Sequence, residues 1–182
     1  VVNAGYVGVG ATQAGQGGTG TLVLNNSTVN TATFELGARG LLSGNDGIIN
    51  ASGDVIIGGT ISPGTSPGRI TINCNLITLP GSMLILEILG SGDGFAIDQL
   101  RIGKDSTFDL HALHIVFDFL GNTDPNSFVA SGGFDLDNFI QSLDPATGIA
   151  SGLLTVFAQG QTWTDVINPA EITVVSSVYD IS

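Results

Sequence analysis

Short runs of branched apolar residues, bounded by Gly, Asn, Asp or Pro, recur along residues 21–89. They predict β-strands, because Val, Ile and Thr favour extended backbone and because no helical period runs through them. The predicted strands are 21–24, 33–36, 40–43, 47–50, 54–57, 60–62, 69–72, 75–79 and 82–89. The links between them are too short to hold helices, which excludes a doubly wound α/β fold.

The corners between these strands distinguish two all-β architectures. A β-sandwich needs hairpins, whereas a β-solenoid stacks short strands coil upon coil, with Gly and Asn at the corners. Here the corners are rich in glycine, and apolar residues come in isolated pairs such as Leu41–Leu42 and Ile48–Ile49. We therefore predict a β-solenoid for residues 21–120, with a degenerate repeat that has no strict period.

The last part of the chain has a different pattern of apolar and polar residues. His111–Leu120 is the most regularly alternating strand, and a turn signal follows it. Apolar residues then fall at helical spacing over 134–143, which predicts one short helix. Further strands are predicted near 152–158 and 171–179. Together these elements predict a C-terminal cap region, residues 121–182, with one short helix and antiparallel strands, because a solenoid needs its open core covered.

The first 20 residues are rich in glycine and nearly uncharged, and we treat 1–20 as a separate N-terminal extended segment. Val7, Val9 and Ala11 fall on one side of an extended strand. Such a strand can add to the sheet edge of a neighbouring molecule, so we predict Tyr6, Val7, Val9 and Ala11 as assembly residues. The alternative is that this strand packs back on its own domain.

The charge balance excludes several classes of partner. The 182 residues include 4 Lys and Arg against 16 Asp and Glu, which gives a formal net charge of -12. Nucleic-acid phosphates and anionic lipid surfaces both require a basic footprint, so we expect neither as a partner. No run reaches the roughly 18–20 apolar residues that a membrane span needs, so we expect no membrane span.

Residue usage also indicates a setting. Lys is nearly absent, whereas Thr, Ser, Asn and Gly are abundant, which is typical of an exported bacterial surface protein. We therefore expect an extracellular or cell-surface location in a bacterium. The first five residues, Val-Val-Asn-Ala-Gly, lack the basic start and apolar run of a secretory signal.

Residues that often carry chemistry are few and scattered. Cys74 is the only cysteine, and its alternating surroundings predict a buried, unreactive thiol. His111 and His114 are three residues apart on one predicted strand, which places them on opposite faces and is poor geometry for a shared metal. Asp93 and Asp98 lie in a faint likeness of one calcium-binding β-roll repeat, where several stacked copies would be expected.

The other candidate groups can be interpreted as ordinary structural residues as well as functional ones. The remaining clustered carboxylates are most simply solvated turn residues, and the isolated aromatics are most simply core residues. These groups are Asp135, Asp137 and Asp144, and Trp163 and Tyr179. The basic residues are spread along the chain and would converge only if stacking placed them on one solenoid face. They are Arg39, Arg69, Arg101 and Lys104.

One segment resembles a known class of protein. Gly59–Ile72 has a strand, Ser-Pro-Gly, a small polar pair, Pro-Gly and another strand, and Asn75–Leu84 and Ile97–Ile102 follow it. This succession resembles a recurrent element of bacterial autotransporter passengers and exosortase-sorted surface proteins. The similarity covers about residues 40 to 120. Pro fixes φ and Gly permits tight corners, so the element turns the chain rigidly between strands.

The resemblance implies an exported, right-handed parallel β-helix at a cell surface or in an extracellular matrix, without catalytic activity. Asn122–Phe128 and Gly133–Phe139 are also similar to downstream segments of such proteins. The sequence departs from them at its end, Val178–Ser182, which carries no membrane barrel, Pro-Glu-Pro sorting signal or anchoring helix. The mode of attachment to a surface therefore stays open.

These observations predict a non-catalytic structural protein that forms a filament or matrix by strand addition. Its main partner would be a second copy of itself, joined head to tail, and a surface polysaccharide is a further candidate partner. No catalytic residue, cofactor or metal is expected. The alternative is an adhesin or glycan-binding surface module, and a polysaccharide-cleaving enzyme on a β-helix is a third hypothesis.

Overall fold

The computed structural model confirms the predicted β-solenoid, in which parallel strands stack coil upon coil with almost no helix. The structure describes residues 1–12, 15–64, 67–91, 94–103, 108–109, 113–124, 127–128, 131, 140–143, 150–151 and 172–177.

The described chain is built from short strands. In order they are β1 Val2–Val9, β2 Ala11–Thr12, β3 Gly15–Gln16, β4 Gly20–Val23, β5 Thr28–Leu36, β6 Gly40–Gly44, β7 Gly47–Ala51, β8 Val55–Ile57, β9 Thr60–Pro63, β10 Arg69–Asn73, β11 Leu76–Thr78, β12 Ser82–Ser91, β13 Gly94–Ile97, β14 Gln99–Gly103, β15 Phe108–Asp109, β16 Leu113–Leu120, β17 Ile140–Leu143, β18 Ala150–Ser151 and β19 Ile172–Ser177. A helical turn lies at Ser127 and Phe128.

Two large sheets form the walls of the solenoid. The first runs from β1 through β5 to β7 and β8, β10 and β11, β14 and β15, and then β17 and β18. The second stacks β4, β6, β9, β12, β16 and β19 in that order. Residues that stack on one another are 20 positions apart between Thr28 and Ile48, and 30 between Arg69 and Gln99. The coil length therefore varies, which is why no strict period is visible in the sequence.

The interior is filled by columns of apolar side chains that repeat from coil to coil. Val29, Ile49, Ile72 and Ile102 are in register in the first sheet, and each is at most 1% exposed. A second column in the other sheet contains Leu42, Ile61, Leu84 and Ile115. Burying one such side chain contributes about 1.5–3 kcal/mol, so these columns account for much of the cohesion between coils.

Most predicted strands are confirmed, with small changes at their ends. The main addition is in β5, which begins at Thr28 rather than at residue 33. Its first half, Thr28–Ala32, alternates Thr, Asn and Ala with a single large apolar residue, so apolar content alone did not mark it as a strand. This half is a strand because it pairs with β1 on one side and with β7 on the other, and these neighbours bond its backbone N–H and C=O groups.

The predicted helix over 134–143 is wrong in its last part, because Ile140–Leu143 is the strand β17 and pairs in parallel with β14. The helical spacing was genuine, but the edge of β14 offers backbone hydrogen bonds that override a local preference. Residues 132–139 lie outside the described residues, as does the predicted strand near 152–158. The strand predicted near 171–179 is confirmed over Ile172–Ser177, where β19 pairs in parallel with β16.

Candidate functional site

The first coil leaves one edge of the solenoid open. β1 pairs in parallel with β5, from Val2 opposite Val29 to Val9 opposite Leu36. No other strand of the described chain pairs with β1. The strand therefore packs on its own domain along one edge, as the alternative reading of the sequence had it, and its second edge carries unpaired backbone groups. Open strand edges of this kind are templates for pairing with another chain.

The hydrogen bonding of β1 identifies which backbone groups lie on the open edge. The Val9 carbonyl accepts from the Gly37 N–H, at 2.9 Å, so Val9 is directed towards β5. Successive residues of a parallel strand direct their backbone groups to opposite sides. The backbone N–H and C=O groups of Tyr6 and Gly8 therefore point to the open edge.

The four predicted assembly residues occupy different positions. Val9 belongs to the core and Val7 packs against it, so both contact their own domain. Tyr6 is half-buried, and its hydroxyl donates to the Glu35 carboxylate at 2.9 Å. Partial burial and this hydrogen bond raise the pKa of Tyr6 above its ordinary value. Ala11 lies beyond Gly10, whose φ of 64° breaks the strand, and belongs to the β2–β3 hairpin.

A ladder of asparagine side chains runs along one face of the solenoid to this open end. The Nδ2 of Asn30 donates to Oδ1 of Asn3 at 2.8 Å, and the Nδ2 of Asn50 donates to Oδ1 of Asn30 at 2.8 Å. The Nδ2 of Asn73 continues the pattern to Oδ1 of Asn50 at 2.9 Å. Each amide spans two adjacent coils, and we call these four residues the asparagine ladder.

The two ends of the asparagine ladder differ. Asn3, at the open end, is exposed. At the other end, Oδ1 of Asn73 is buried and has no hydrogen-bond partner. Position 103 follows Asn73 in register, as shown by Ile72 opposite Ile102, and it is a glycine, so the ladder stops there.

The sequence does carry a signal for this ladder, although apolar periodicity alone missed it. A β-branched residue, Asn and a small residue occur together four times, as Val2–Ala4, Val29–Thr31, Ile49–Ala51 and Ile72–Cys74. Side chains alternate along a strand, so the branched residue and the small residue point to the core side and the Asn between them points outwards. A search for a recurring tripeptide rather than a recurring apolar residue finds the coil positions.

Two of the scattered basic residues do come together. Arg69 forms an ion pair with Asp46, and both side chains are a little under two-fifths exposed. Arg101 lies two residues along β14 from Gln99, which is the residue opposite Arg69. Burial and the charge of Arg69 lower the pKa of Arg101, whereas Asp46 raises it. Its guanidinium donates to Oε1 of Gln99 at 3.1 Å. A surface pocket of about 450 Å³ adjoins this group and is lined by Asn45, Asp46, Pro67, Gly68, Arg69, Phe95, Ala96, Ile97 and Gln99.

A buried carboxylate lies behind this pocket. Asp98 is fully buried, and its two oxygens accept from the backbone N–H of Gly68 at 2.6 Å and of Glu87 at 3.0 Å. Burial raises the pKa of Asp98 to about 7, although these two hydrogen bonds lower it. Asp98 thus fastens the corner after Pro67 to β12, and it is not placed as a calcium ligand at the surface. Asp93 lies outside the described residues.

The other candidate groups form no cluster among the described residues. Cys74 is free and buried, as predicted, and burial raises the pKa of its thiol to about 11. His114 lies half-buried on β16, whereas His111 lies outside the described part of the chain. Within the ranges that the structure describes, no three His, Cys, Asp or Glu side chains are grouped to hold a metal ion. Trp163, Tyr179 and Lys104 fall outside those ranges.

Among the residues that the structure describes, there is no helix that is long and apolar enough to cross a membrane. No protein-family model, curated protein sequence or solved structure matches the chain. The open edge, the asparagine ladder and the pocket are the three features of the described residues that bear on function.

Proposed function

We propose that this is a non-catalytic structural protein of a bacterial surface or extracellular matrix. Its solenoid serves as a rigid rod, and the rod is extended by addition of a β-strand to the open edge of β1. The partner expected from the sequence is a second copy, joined end to end into a filament or matrix. The observation that carries the proposal is the unpaired edge of β1 next to the exposed Asn3.

The chemistry of the open edge supports strand addition. The backbone groups of Tyr6 and Gly8 are directed away from β5 and offer hydrogen bonds along the edge. Val2, at the start of the same strand, is 53% exposed, so pairing along β1 also buries apolar surface. Main-chain hydrogen bonds supply affinity in β-augmentation, and alternate side chains supply specificity.

The described polar groups support a non-catalytic role. Asp46 is neutralised by Arg69, and Asp98 is buried and bonded to backbone, so neither is placed to exchange a proton with a substrate. The thiol of Cys74 is buried and its pKa is raised, which disfavours the nucleophilic thiolate.

Electron microscopy of two matched variants tests the proposal. Tyr6→Pro removes the backbone N–H on the open edge, whereas Tyr6→Phe keeps that N–H and removes only the hydroxyl bonded to Glu35. In negative stain at micromolar concentration and 0.15 M salt, we expect filaments or large assemblies from the wild type and Tyr6→Phe. Salt is included because it screens the repulsion between subunits of net charge -12.

We expect Tyr6→Pro to give single particles with an unchanged far-ultraviolet circular dichroism spectrum. Dispersed wild-type particles, or Tyr6→Pro assemblies like those of the wild type, would contradict the proposal. Truncation of the N-terminal segment is a poorer test, because Val9 belongs to the core and its removal uncovers Leu36.

A glycan-binding surface module is the second candidate, and the pocket beside Arg69 favours it. Guanidinium, amide and aromatic groups of Arg69, Asn45, Gln99 and Phe95 line one concavity. This combination suits a sugar that bears a carboxylate, because guanidinium pairs with carboxylate and amides bond hydroxyls. The assembly proposal has the stronger support, since Asp46 already occupies part of the Arg69 guanidinium.

A further inference from the structure

Positive charge is concentrated beside the pocket in a chain that is otherwise strongly acidic. The formal net charge is -12, with only 4 Lys and Arg. Two of these four, Arg69 and Arg101, lie on neighbouring coils, and the charge of Arg69 lowers the pKa of Arg101. Asp46 is the only carboxylate among the residues described as lining the pocket. Two guanidinium groups therefore act on this concavity against one lining carboxylate, which favours an anionic ligand.

Buried hydrogen bonds hold the shape of this pocket. Its lining comes partly from Pro67 and Gly68, before β10, and partly from Phe95–Gln99, in β13 and β14. The fully buried Asp98 accepts from the backbone N–H of Gly68 at 2.6 Å, and the Gln99 N–H donates to the Gly68 carbonyl at 2.9 Å. The two lining segments are thus joined to each other. The volume of about 450 Å³ falls within the range of roughly 300–1,000 Å³ that is usual for ligand sites.

We infer that this pocket binds a uronic-acid residue of an acidic polysaccharide, and that Asp46 occupies the Arg69 guanidinium until the sugar carboxylate displaces it. Arginine pairs with a planar carboxylate through two parallel N–H groups. The amides of Asn45 and Gln99 suit sugar hydroxyls, and the Phe95 ring suits an apolar sugar face. The inference rests on the second candidate function, for which it names the sugar, and it is independent of strand addition to β1.

The ion pair between Arg69 and Asp46 is suited to displacement. It joins one guanidinium nitrogen to one carboxylate oxygen, and within the described part of the chain it is the only hydrogen bond of the Arg69 side chain. A ligand carboxylate can therefore make the two-pronged contact that Asp46 does not make. Both side chains are a little under two-fifths exposed, and pairs with this much solvent contribute little to stability.

Isothermal titration calorimetry on the whole protein tests this inference. The probes are trimers of galacturonic acid and of mannuronic acid, and the matched neutral ligands are their methyl esters. We expect an acid trimer to bind more tightly than its ester. Arg69→Gln should weaken that binding at least about tenfold, which is the loss of a charge-assisted hydrogen bond.

Asp46→Asn should change the affinity in the opposite direction. It removes the competing charge, and Asn also tolerates the left-handed backbone at this position, where φ is 54°. We expect the acid trimer to bind about two- to fivefold more tightly, which is the release of one partly exposed ion pair. A gain in affinity cannot come from misfolding. The control is Arg39→Gln, which removes an exposed arginine outside the pocket lining and should leave the affinity unchanged.

The outcomes separate this inference from the function on which it rests. If esters bind as tightly as acids and Arg69→Gln changes neither, a glycan-binding module stands and this inference fails. If no trimer binds at millimolar concentration, both fail. Equal weakening by Arg39→Gln and Arg69→Gln would show diffuse attraction and overturn the pocket as the site. An unchanged or lower affinity in Asp46→Asn would overturn the role of Asp46 as a competitor.

Discussion

The early and late coils of the solenoid are both held together by apolar columns, but only the early coils are also joined by the asparagine ladder. From β4 to β11, stacked residues are 19 to 23 positions apart, as with Leu41 and Thr60 or Gly47 and Ile70. Later the spacing grows to 31 between Met83 and His114. The apolar columns continue through both parts, whereas the asparagine ladder is confined to the early coils.

The two kinds of interaction place different requirements on the sequence. An apolar column needs only a large side chain at each level, so extra residues at a corner leave it intact. A side-chain ladder needs the same polar residue in register on every coil, and one glycine at position 103 ends it. Longer corners are therefore compatible with the apolar columns of the late coils, whereas the asparagine ladder is found only where the coils are shorter.

The largest expected effect tests whether the apolar columns serve both regions equally. Phe34 in the early coils and Phe117 in the late coils are each at most 1% exposed. We expect Phe34→Ala and Phe117→Ala each to lower the free energy of unfolding by about 3–5 kcal/mol in urea titrations. A large effect at Phe34 with little effect at Phe117 would show that the late coils do not share the cooperative core.

A smaller effect tests the ladder alone. Asn50→Leu removes two ladder hydrogen bonds and leaves groups of Asn30 and Asn73 without partners, so we expect a loss of about 1–3 kcal/mol in the free energy of unfolding. Asn3→Leu is the matched control, because it removes one bond at the exposed end and should cost less. Equal effects of the two substitutions would argue against a continuous ladder.

At the junction between the two regions, Asp98 is expected to make the free energy of unfolding depend on pH. Asp98 joins Gly68 in an early coil to Glu87 in β12, and burial raises its pKa from the ordinary 3.8 to about 7. Since the folded state binds this proton more tightly than the unfolded state, the contribution of Asp98 to stability is greatest below about pH 4. The contribution of Asp98 to the free energy of unfolding should then fall as pH rises towards 7.

Urea titrations across that window check the sign. Asp98→Asn should flatten the pH dependence and lower stability by about 1–3 kcal/mol, because its amide NH₂ faces a backbone N–H. The exposed Asp54→Asn is the control and should keep the wild-type slope. If the Asp98 contribution, measured as the wild type minus Asp98→Asn, rises with pH, the two backbone hydrogen bonds outweigh burial.

The sequence was sufficient for the fold and for the positions of most strands. Runs such as Asp54–Ile57 and Arg69–Ile72 contain enough β-branched residues to mark strands without tertiary information. The strand at Ile140–Leu143 was predicted as helix because its pairing partner, β14, is about 40 residues away and is invisible to local spacing.

The candidate site was predictable only in part. The strand at Tyr6–Val9 could be read from alternation, but its pairing with β5 depends on a contact 27 residues away. The convergence of Arg69 with Arg101 likewise depends on register, which unequal coil lengths conceal. The recurring tripeptide around each ladder Asn was present in the sequence and would have fixed the register of β1 with β5. It does not extend to β14, so it could not have placed Arg101.

Amide hydrogen exchange on β1, in dilute and in concentrated protein, tests the open edge most directly. At low concentration we expect slow exchange at Val7 and Val9, which are directed towards β5, and fast exchange at Tyr6 and Gly8. At assembling concentrations, Tyr6 and Gly8 should become protected as well. Protection of Tyr6 and Gly8 already in dilute protein, or continued fast exchange in the assembled state, would contradict an open edge that receives a strand.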